Sequence, residues 1–262
     1  MKIVVCIKQV PDTTEVKLDP KTNRLIREGV PSIINPDDKV GLEAALRLRD
    51  AVHGTVTVVS MGPPQADVAL REALAMGADD AYLLSAREFG GSDTYATATI
   101  LAAALRRIGF DLVITGREAI DGNTAQVGPQ IAEQLHIPQV CYAEELSVDG
   151  DSVIVKRQFE DCSHILKVKT PCLITALSEL AEPRYMEVSR IVDAYNSNVI
   201  VWGFDDLKDY LNPEFIGLKG SPTNVFQSFG KQTKSVGKVM QGLTADEAVD
   251  AIMKKLIENH II

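Results

Sequence analysis

Residues 3–7 form an unbroken apolar run rich in Ile and Val, the pattern of a strand covered on both faces rather than one with a wet side. It predicts a central first strand. Similar runs at 55–59, 81–84 and 112–115 are interleaved with helical periodicity, and strands alternating with helices imply a mostly parallel sheet. Asn35 ahead of Pro36, Asp37 and Asp38 reads as an N-cap, a proline in the first turn and two carboxylates at the positive helix end, followed by an apolar face of Val40, Ala44 and Leu48. Pro63 and Pro64 open a second helix through Val68, Leu70 and Leu74, which Gly77 closes. Ser92 is expected to cap a third that runs to Ile108 and stops at Gly109. A fourth starts at Asn123 or Thr124, places Val127, Ile131 and Leu135 on one side, and ends before Pro138. These elements make one open α/β unit to about residue 140.

Between the first strand and the Asn35 helix, residues 15–29 alternate around a Pro-Lys-Thr-Asn turn and read as an excursion hairpin. From Ser147 onward the runs 153–155, 165–169 and 172–176 are expected as antiparallel strands added to the sheet. Beyond Ala176 the pattern loosens. Pro213, Gly217, Gly220 and Pro222 punctuate what reads as an extended arm, closed by a Thr244-Ala-Asp-Glu247 capping box and a docking helix through Val249, Ile252, Met253 and Leu256.

Composition narrows the functions. The chain has 262 residues, 45% hydrophobic and 24% charged, enough for a proper core, and no apolar run approaches the ~18 residues of a membrane span. No membrane insertion is expected. The net charge of −9 and an aromatic content of 5% leave neither a cationic surface for phosphate backbones nor stacking platforms, so nucleic acid is not an expected partner. Cys6, Cys141, Cys162 and Cys172 contain no Cys-x-x-Cys pair, and His53, His136, His164 and His260 share no ligand spacing, so no structural metal is expected. The apolar run that stops at Lys8 is too short for a signal-peptide core, which points to the cytoplasm.

Candidate chemistry sits in loops beyond strand ends, where helix N-termini favour anions. After Thr115 the chain reads Gly116-Arg-Glu-Ala-Ile-Asp121-Gly122-Asn123-Thr124-Ala125-Gln126-Val127-Gly128-Pro129. Its glycines allow close backbone approach and Thr124 offers a hydroxyl, so a diphosphate could lie there; a well-capped helix after a long turn is the plainer alternative. A second loop, Gly90-Gly91-Ser92-Asp93-Thr94 with Thr97 one turn on, is a weaker anion site because Asp93 carries the wrong charge. A third, Ser60-Met61-Gly62-Pro63, could wall an adenine pocket or be only a turn. The chain contains no G-x-x-x-x-G-K-[ST], no G-x-G-x-x-G after a strand and no G-x-S-x-G elbow, which argues against nucleotide hydrolysis and acyl transfer. What remains is a cleft for a nucleotide-bearing cofactor whose own ring does the chemistry.

The pieces Val4-Val-Cys-Ile-Lys8-Gln-Val-Pro-Asp12, Asn35-Pro36, Met61-Gly-Pro63, Ala73-Leu-Ala-Met-Gly-Ala-Asp79, Gly116 to Gly128 and Pro183-Arg184-Tyr185 occur in the order of one family, and over three-quarters of its length the chain resembles the β subunit of electron-transfer flavoprotein. The resemblance implies a Rossmann-like adenine-nucleotide-binding fold paired with an α subunit that carries its own FAD. The housekeeping branch holds structural AMP in the β cleft. The bifurcating branch holds a second FAD, and the Asp121-Gly-Asn-Thr124-Ala-Gln126-Val-Gly128 loop is similar to its version, although Asn123 stands where Asp is common. By resemblance, NADH gives a hydride to that flavin, one electron going to ferredoxin or flavodoxin and the other through the α-subunit FAD to a partner dehydrogenase.

Carried onto this chain, the resemblance implies a cofactor cradle of Cys6, Asn35, Asp38, Met61, Asp121, Gly122, Asn123, Thr124, Ala125, Gln126, Val127, Gly128 and Ile131. Gly90, Gly91, Ser92, Thr94 and Thr97 are the candidate NADH contacts. Pro183, Arg184, Tyr185 and Val188 are expected to dock a flavin-dependent dehydrogenase of the acyl-CoA dehydrogenase type, the alternative being a solvated arm or one that only embraces the α subunit. The expected division is a nucleotide/flavin-binding domain with its antiparallel extension at 1–177, and a recognition loop and C-terminal arm at 178–262. A nucleotide-sensing domain of the universal-stress type is the rival from another class, but it is shorter and uses a glycine-rich phosphate loop absent here.

Overall fold

The structure, a computed structural model, describes residues 1–12, 31–226, 237 and 239–262. The expected hairpin at 15–29 lies outside the described residues.

The chain starts with strand β1 (Lys2–Cys6), a short ribbon of β2 (Gln9–Pro11) and β3 (Ser32–Ile34), and helix α1 (Pro36–Val52). It continues through β4 (Thr55–Met61), α2 (Asp67–Met76), β5 (Asp80–Leu84), α3 (Thr94–Ile108), β6 (Leu112–Gly116) and α4 (Val127–Leu135). Strands β7 (Gln139–Asp149), β8 (Ser152–Gln158), β9 (Ser163–Lys169) and β10 (Cys172–Ala176) follow. Helix α5 (Val188–Asn196), strand β11 (Ile200–Trp202), the short helices α6 (Phe204–Leu207) and α7 (Gly217–Gly220), and α8 (Ala245–Glu258) complete the described chain.

Apart from the β2–β3 ribbon, the strands join in one nine-stranded sheet of order β11-β5-β4-β1-β6-β10-β7-β8-β9. From β11 to the first half of β7 every pairing is parallel; only β7–β8 and β8–β9 are antiparallel. This is the expected α/β architecture of Rossmann-like type. Successive residues of a strand point to opposite faces, and helices cover both. Ile3 and Val5 of β1, with Val56, Val58 and Ile114, pack under Leu42, Ala45 and Leu46 of α1 and Leu70 and Ala73 of α2. Val4, Val59 and Val113 turn the other way onto Ile100, Leu101 and Leu105 of α3 and Ile131 and Ala132 of α4. Double coverage is why these strands read as unbroken apolar runs. Helix α1 lies close against the sheet at Gly41, where an added Cβ would stand 3.0 Å from Ile114 Cγ2.

Several expectations are corrected. Residues 172–176 are not an antiparallel addition: β10 sits between β6 and β7, parallel to both and buried at every position. The strand over residues 139–149 has no unbroken apolar run to mark it, because its buried positions alternate with exposed Gln139, Tyr142, Glu145 and similar side chains. The third helix is capped by Asp93, whose carboxylate accepts the N–H of Ala96 at 3.0 Å, and not by Ser92. The fourth helix begins only at Val127. In the C-terminal segment, β11 pairs with β5 and extends the main sheet.

Candidate functional site

The chain leaves β1 for β4 and β5 on one side, then returns through α3 to β6 on the other side of β1. The carboxyl ends of β1 and β6 are therefore the switch point of the sheet, where an open α/β fold leaves a crevice between diverging connections. Everything that shapes this crevice converges on the loop from β6 to α4.

Asn35 and Asp38 hold that loop from below. Asn35 stands at the N-cap of α1 but makes no side-chain cap bond. Its buried amide instead donates Nδ2–H to the carbonyl of Glu118 (2.8 Å) and accepts the N–H of Ile120 on Oδ1 (3.1 Å). Asp38, also buried, accepts the N–H of Lys8 on Oδ2 (2.8 Å) and of Gly116 on Oδ1 (2.9 Å), tying the ends of β1 and β6 to one carboxylate. Burial pushes that carboxyl up to about 7 against the pull of those N–H bonds. Gly116 is required here, because a Cβ would meet Asp38 Oδ1 at 2.4 Å. Cys6, beside them, is buried, and burial followed by the nearby Asp38 charge pushes its thiol up to about 12, so it is an inert wall. Met61 packs at the end of β4 against the α3-side core.

Above this base the loop is closed by an ion pair: Lys8 Nζ donates to both oxygens of Asp121, at 2.7 and 2.8 Å. Lys8 is the functional candidate that the sequence reading passed over. Its signal was its place as the first polar residue after the β1 run.

The turn itself is an anion cradle. Asn123 and Ala125 have φ of 47° and 52°, whereas Gln126 at the helix N-cap is right-handed. Such an alternation points successive N–H groups into one concavity. No acceptor among the described residues takes the N–H of Thr124, Ala125, Gln126, Val127 or Gly128, and α4 begins its own bonding with Gln130 donating to Gln126. Gly122, the residue best suited to left-handed backbone, is not among these positions. A Cβ on Gly122 would meet nothing within 4 Å. Gly128 has the opposite reason for being glycine: its Cβ would stand 2.7 Å from Thr115 Oγ1 and 3.0 Å from Thr175 Cγ2, so α4 seats directly on the sheet. Ile131 of α4 is fully buried in the core on the α3 side of the sheet. Unpaired N–H groups and open space at Gly122 fit a diphosphate-bearing nucleotide, while the Lys8 ammonium serves to balance the Asp121 charge.

The turn at Gly90, Gly91 and Ser92 does not offer a comparable site. The segment around α7 covers it: Leu218 N–H donates to the Gly90 carbonyl, Gly217 N–H to Ser92 Oγ, and Leu218 lies 3.1 Å from where a Gly91 Cβ would be. Asp93 is occupied by Ala96 and by the N–H and hydroxyl of Thr223. An anion at this turn would meet a helix terminus whose polar groups are already taken by the α7 segment and Thr223. Thr94 instead donates its hydroxyl to Gln126 Oε1 at 3.0 Å, linking α3 to the cradle, and Thr97 lies one turn on in α3.

The docking candidates divide. Tyr185 and Val188 are exposed, at 98% and 79%, and Val188 begins α5 rather than standing in a loop. Arg184 turns inward and donates Nε–H to buried Glu43 at 2.7 Å, with half-buried Pro183 preceding it.

A Rossmann-like sheet with an anion-accepting turn at its switch point defines the nucleotide-binding class of α/β proteins. Residues 22–203 match the electron transfer flavoprotein domain. Over its whole length the chain is 54% identical to the whole of the electron transfer flavoprotein subunit beta of Thermoanaerobacterium thermosaccharolyticum, and 53% identical to the whole of the caffeyl-CoA reductase-Etf complex subunit CarD of Acetobacterium woodii. It is 49% identical, again over both full lengths, to the acryloyl-CoA reductase electron transfer subunit gamma of Anaerotignum propionicum. The chain belongs to the electron transfer flavoprotein family, as a member of the β-subunit type. No helix among the described residues is long and apolar enough to cross a membrane, and among those residues no cluster of His, Cys, Asp or Glu could hold a metal ion.

Proposed function

We propose that this chain is the β subunit of a cytoplasmic, electron-bifurcating flavoprotein. In that role it holds FAD at the switch point, takes electrons from NADH, and divides them between ferredoxin or flavodoxin and, through the FAD of an α subunit, a partner dehydrogenase. The observation that carries this reading is the cradle: the unclaimed N–H groups of Thr124 to Gly128 suit a diphosphate. The relatives support the electron-transfer role, since two bear the names of reductases of caffeyl-CoA and acryloyl-CoA. When bound, FAD would supply a ring that accepts a hydride and releases electrons singly. The chain's own residues bind and orient. Thr124 offers a hydroxyl at the cradle, Asn35 and Asp38 hold the loop in register with β1, and buried Cys6 keeps that end of the cleft unreactive. The exposed Tyr185 and Val188 give a dehydrogenase of the acyl-CoA type its docking surface, where aromatic and apolar anchors carry most of the energy.

The deciding experiment is a flavin count after co-expression with the α subunit. FAD in this cleft, in addition to that of the α subunit, is expected; one FAD and one AMP per heterodimer would make this a housekeeping member. Gly122→Val provides a second check. A Cβ there has no protein atom within 4 Å, so the fold is expected to tolerate the substitution, but the branched group occupies space the cofactor needs. Lower nucleotide occupancy is expected, with the melting temperature of the nucleotide-free chain unchanged, and unchanged occupancy would remove the loop from the site.

A further inference from the structure

The exposed apolar residues near α5 form one stripe. Val188, Val192 and Tyr195 recur at helical spacing along α5, and Tyr185 extends the line ahead of the helix; Val192 and Tyr195 are 57% and 75% exposed. Yet α5 has only nine residues and buries only Ala194 fully against its neighbours. A helix this short is marginal on its own, and its last carbonyls need partners. Two polar fixtures supply what packing does not.

At the C-terminal end, Arg71 of α2 donates Nη1–H to the carbonyls of Ala194 (2.7 Å), Tyr195 (2.9 Å) and Ser197 (3.2 Å). Its Nε is meanwhile held by Asp67 at 2.6 Å, which fixes the guanidinium plane. At the N-terminal end the fixture is Glu43 of α1, only 3% exposed. Its carboxylate takes the backbone N–H of Arg184 (3.2 Å), Arg184 Nε–H (2.7 Å) and Nη2–H (3.2 Å), and Arg47 Nε–H (2.8 Å), while Arg47 Nη2–H reaches the carbonyl of Glu182 (2.9 Å). Burial raises the Glu43 carboxyl, but these bonds outweigh it and leave it below its ordinary range, hence charged.

We propose that Glu43 and Arg71 are positioning residues for partner docking, which hold the Tyr185–Val188–Val192–Tyr195 stripe in its binding shape before a dehydrogenase arrives. The proposal rests on the docking role assigned above to the segment around Val188. Arg184, expected to reach outward, works in this scheme through Glu43. Pre-ordering of this kind acts on affinity, because a partner that must first order a loose segment loses that free energy from binding.

The test uses the purified heterodimer with its dehydrogenase. Glu43→Gln and Arg71→Met should each raise the dehydrogenase's apparent KM for the heterodimer about tenfold while leaving kcat at saturation, flavin content and reduction by NADH at wild-type values. Adding Arg184→Met to Glu43→Gln should raise KM little further, since both act on one link. Where Glu43→Gln fails to assemble, Arg71→Lys, which keeps the cation but loses the fork, reads out the same effect. Unchanged KM in the Glu43 and Arg71 variants, or a loss confined to kcat, overturns the proposal when Val188→Asp still abolishes coupling. Wild-type coupling in Val188→Asp would instead overturn the docking role itself.

Discussion

At Asp38 two physical demands meet on one carboxyl group. Burial favours the neutral acid, and the N–H groups of Lys8 and Gly116 favour the anion; burial is the larger, so the group titrates near about 7 instead of its unfolded 3.8. The folded chain thus holds this proton more tightly than the unfolded chain. Asp38 contributes stability that is complete below the unfolded value and is lost as pH rises through about 7, a window worth on the order of a few kcal/mol. Asp38→Asn cannot titrate, and its amide cannot accept on both sides. The variant should be less stable overall, with a flatter dependence on pH between 5 and 8 than the wild type, as read from urea midpoints at the two values. Equal slopes would show that Asp38 does not set the dependence. Local rules saw this residue only as a charge at a helix end and Asn35 only as a cap. Their real partners, Gly116 and Glu118, lie some eighty residues further along, and no reading of neighbouring residues reaches that far. The cradle was legible as a loop of the right composition. Its left-handed residues were not, since Asn123 and Ala125 take conformations that composition assigns to Gly122.

Among the elements, those that bury an unbroken apolar run or carry an explicit cap were plain in the sequence. The one serious misplacement was β10, whose run Cys172–Ala176 has the same continuous pattern as β1 and is an interior parallel strand for the same reason, coverage on both faces. Its nearness in sequence to the β8–β9 hairpin outweighed that pattern. Helix α8 shows the opposite case. Its Thr244–Glu247 capping box is formed as expected, with Thr244 Oγ1 accepting the N–H of Glu247, but none of its residues is buried and Val249, Ile252, Met253 and Ile257 all stand exposed. Capping therefore carries an unusual share of this helix's stability. Thr244→Ala should cost it about 1 kcal/mol. Hydrogen exchange should quicken in the first turn of α8 and stay unchanged in the sheet; slow exchange in the variant would mean that contacts on the apolar stripe hold the helix instead.

At the scale of the whole molecule, the position of the crevice followed from strand order alone once β1 was recognised as central. What strand order adds is the route of the chain after the sheet's interior is complete. It leaves β10, crosses α1 and α2, and rejoins the sheet at β11 on the far side of β5. That journey spans five inter-strand steps, roughly 24 Å. The segment bearing α5 is therefore a strap fastened at both ends, not a flap on a hinge. It cannot swing outward without unzipping β11 from β5. Under the docking role proposed above, a partner meeting the strap would find a surface already in its final shape, so the speed of their union would be governed by encounter and orientation, with no folding step to wait for.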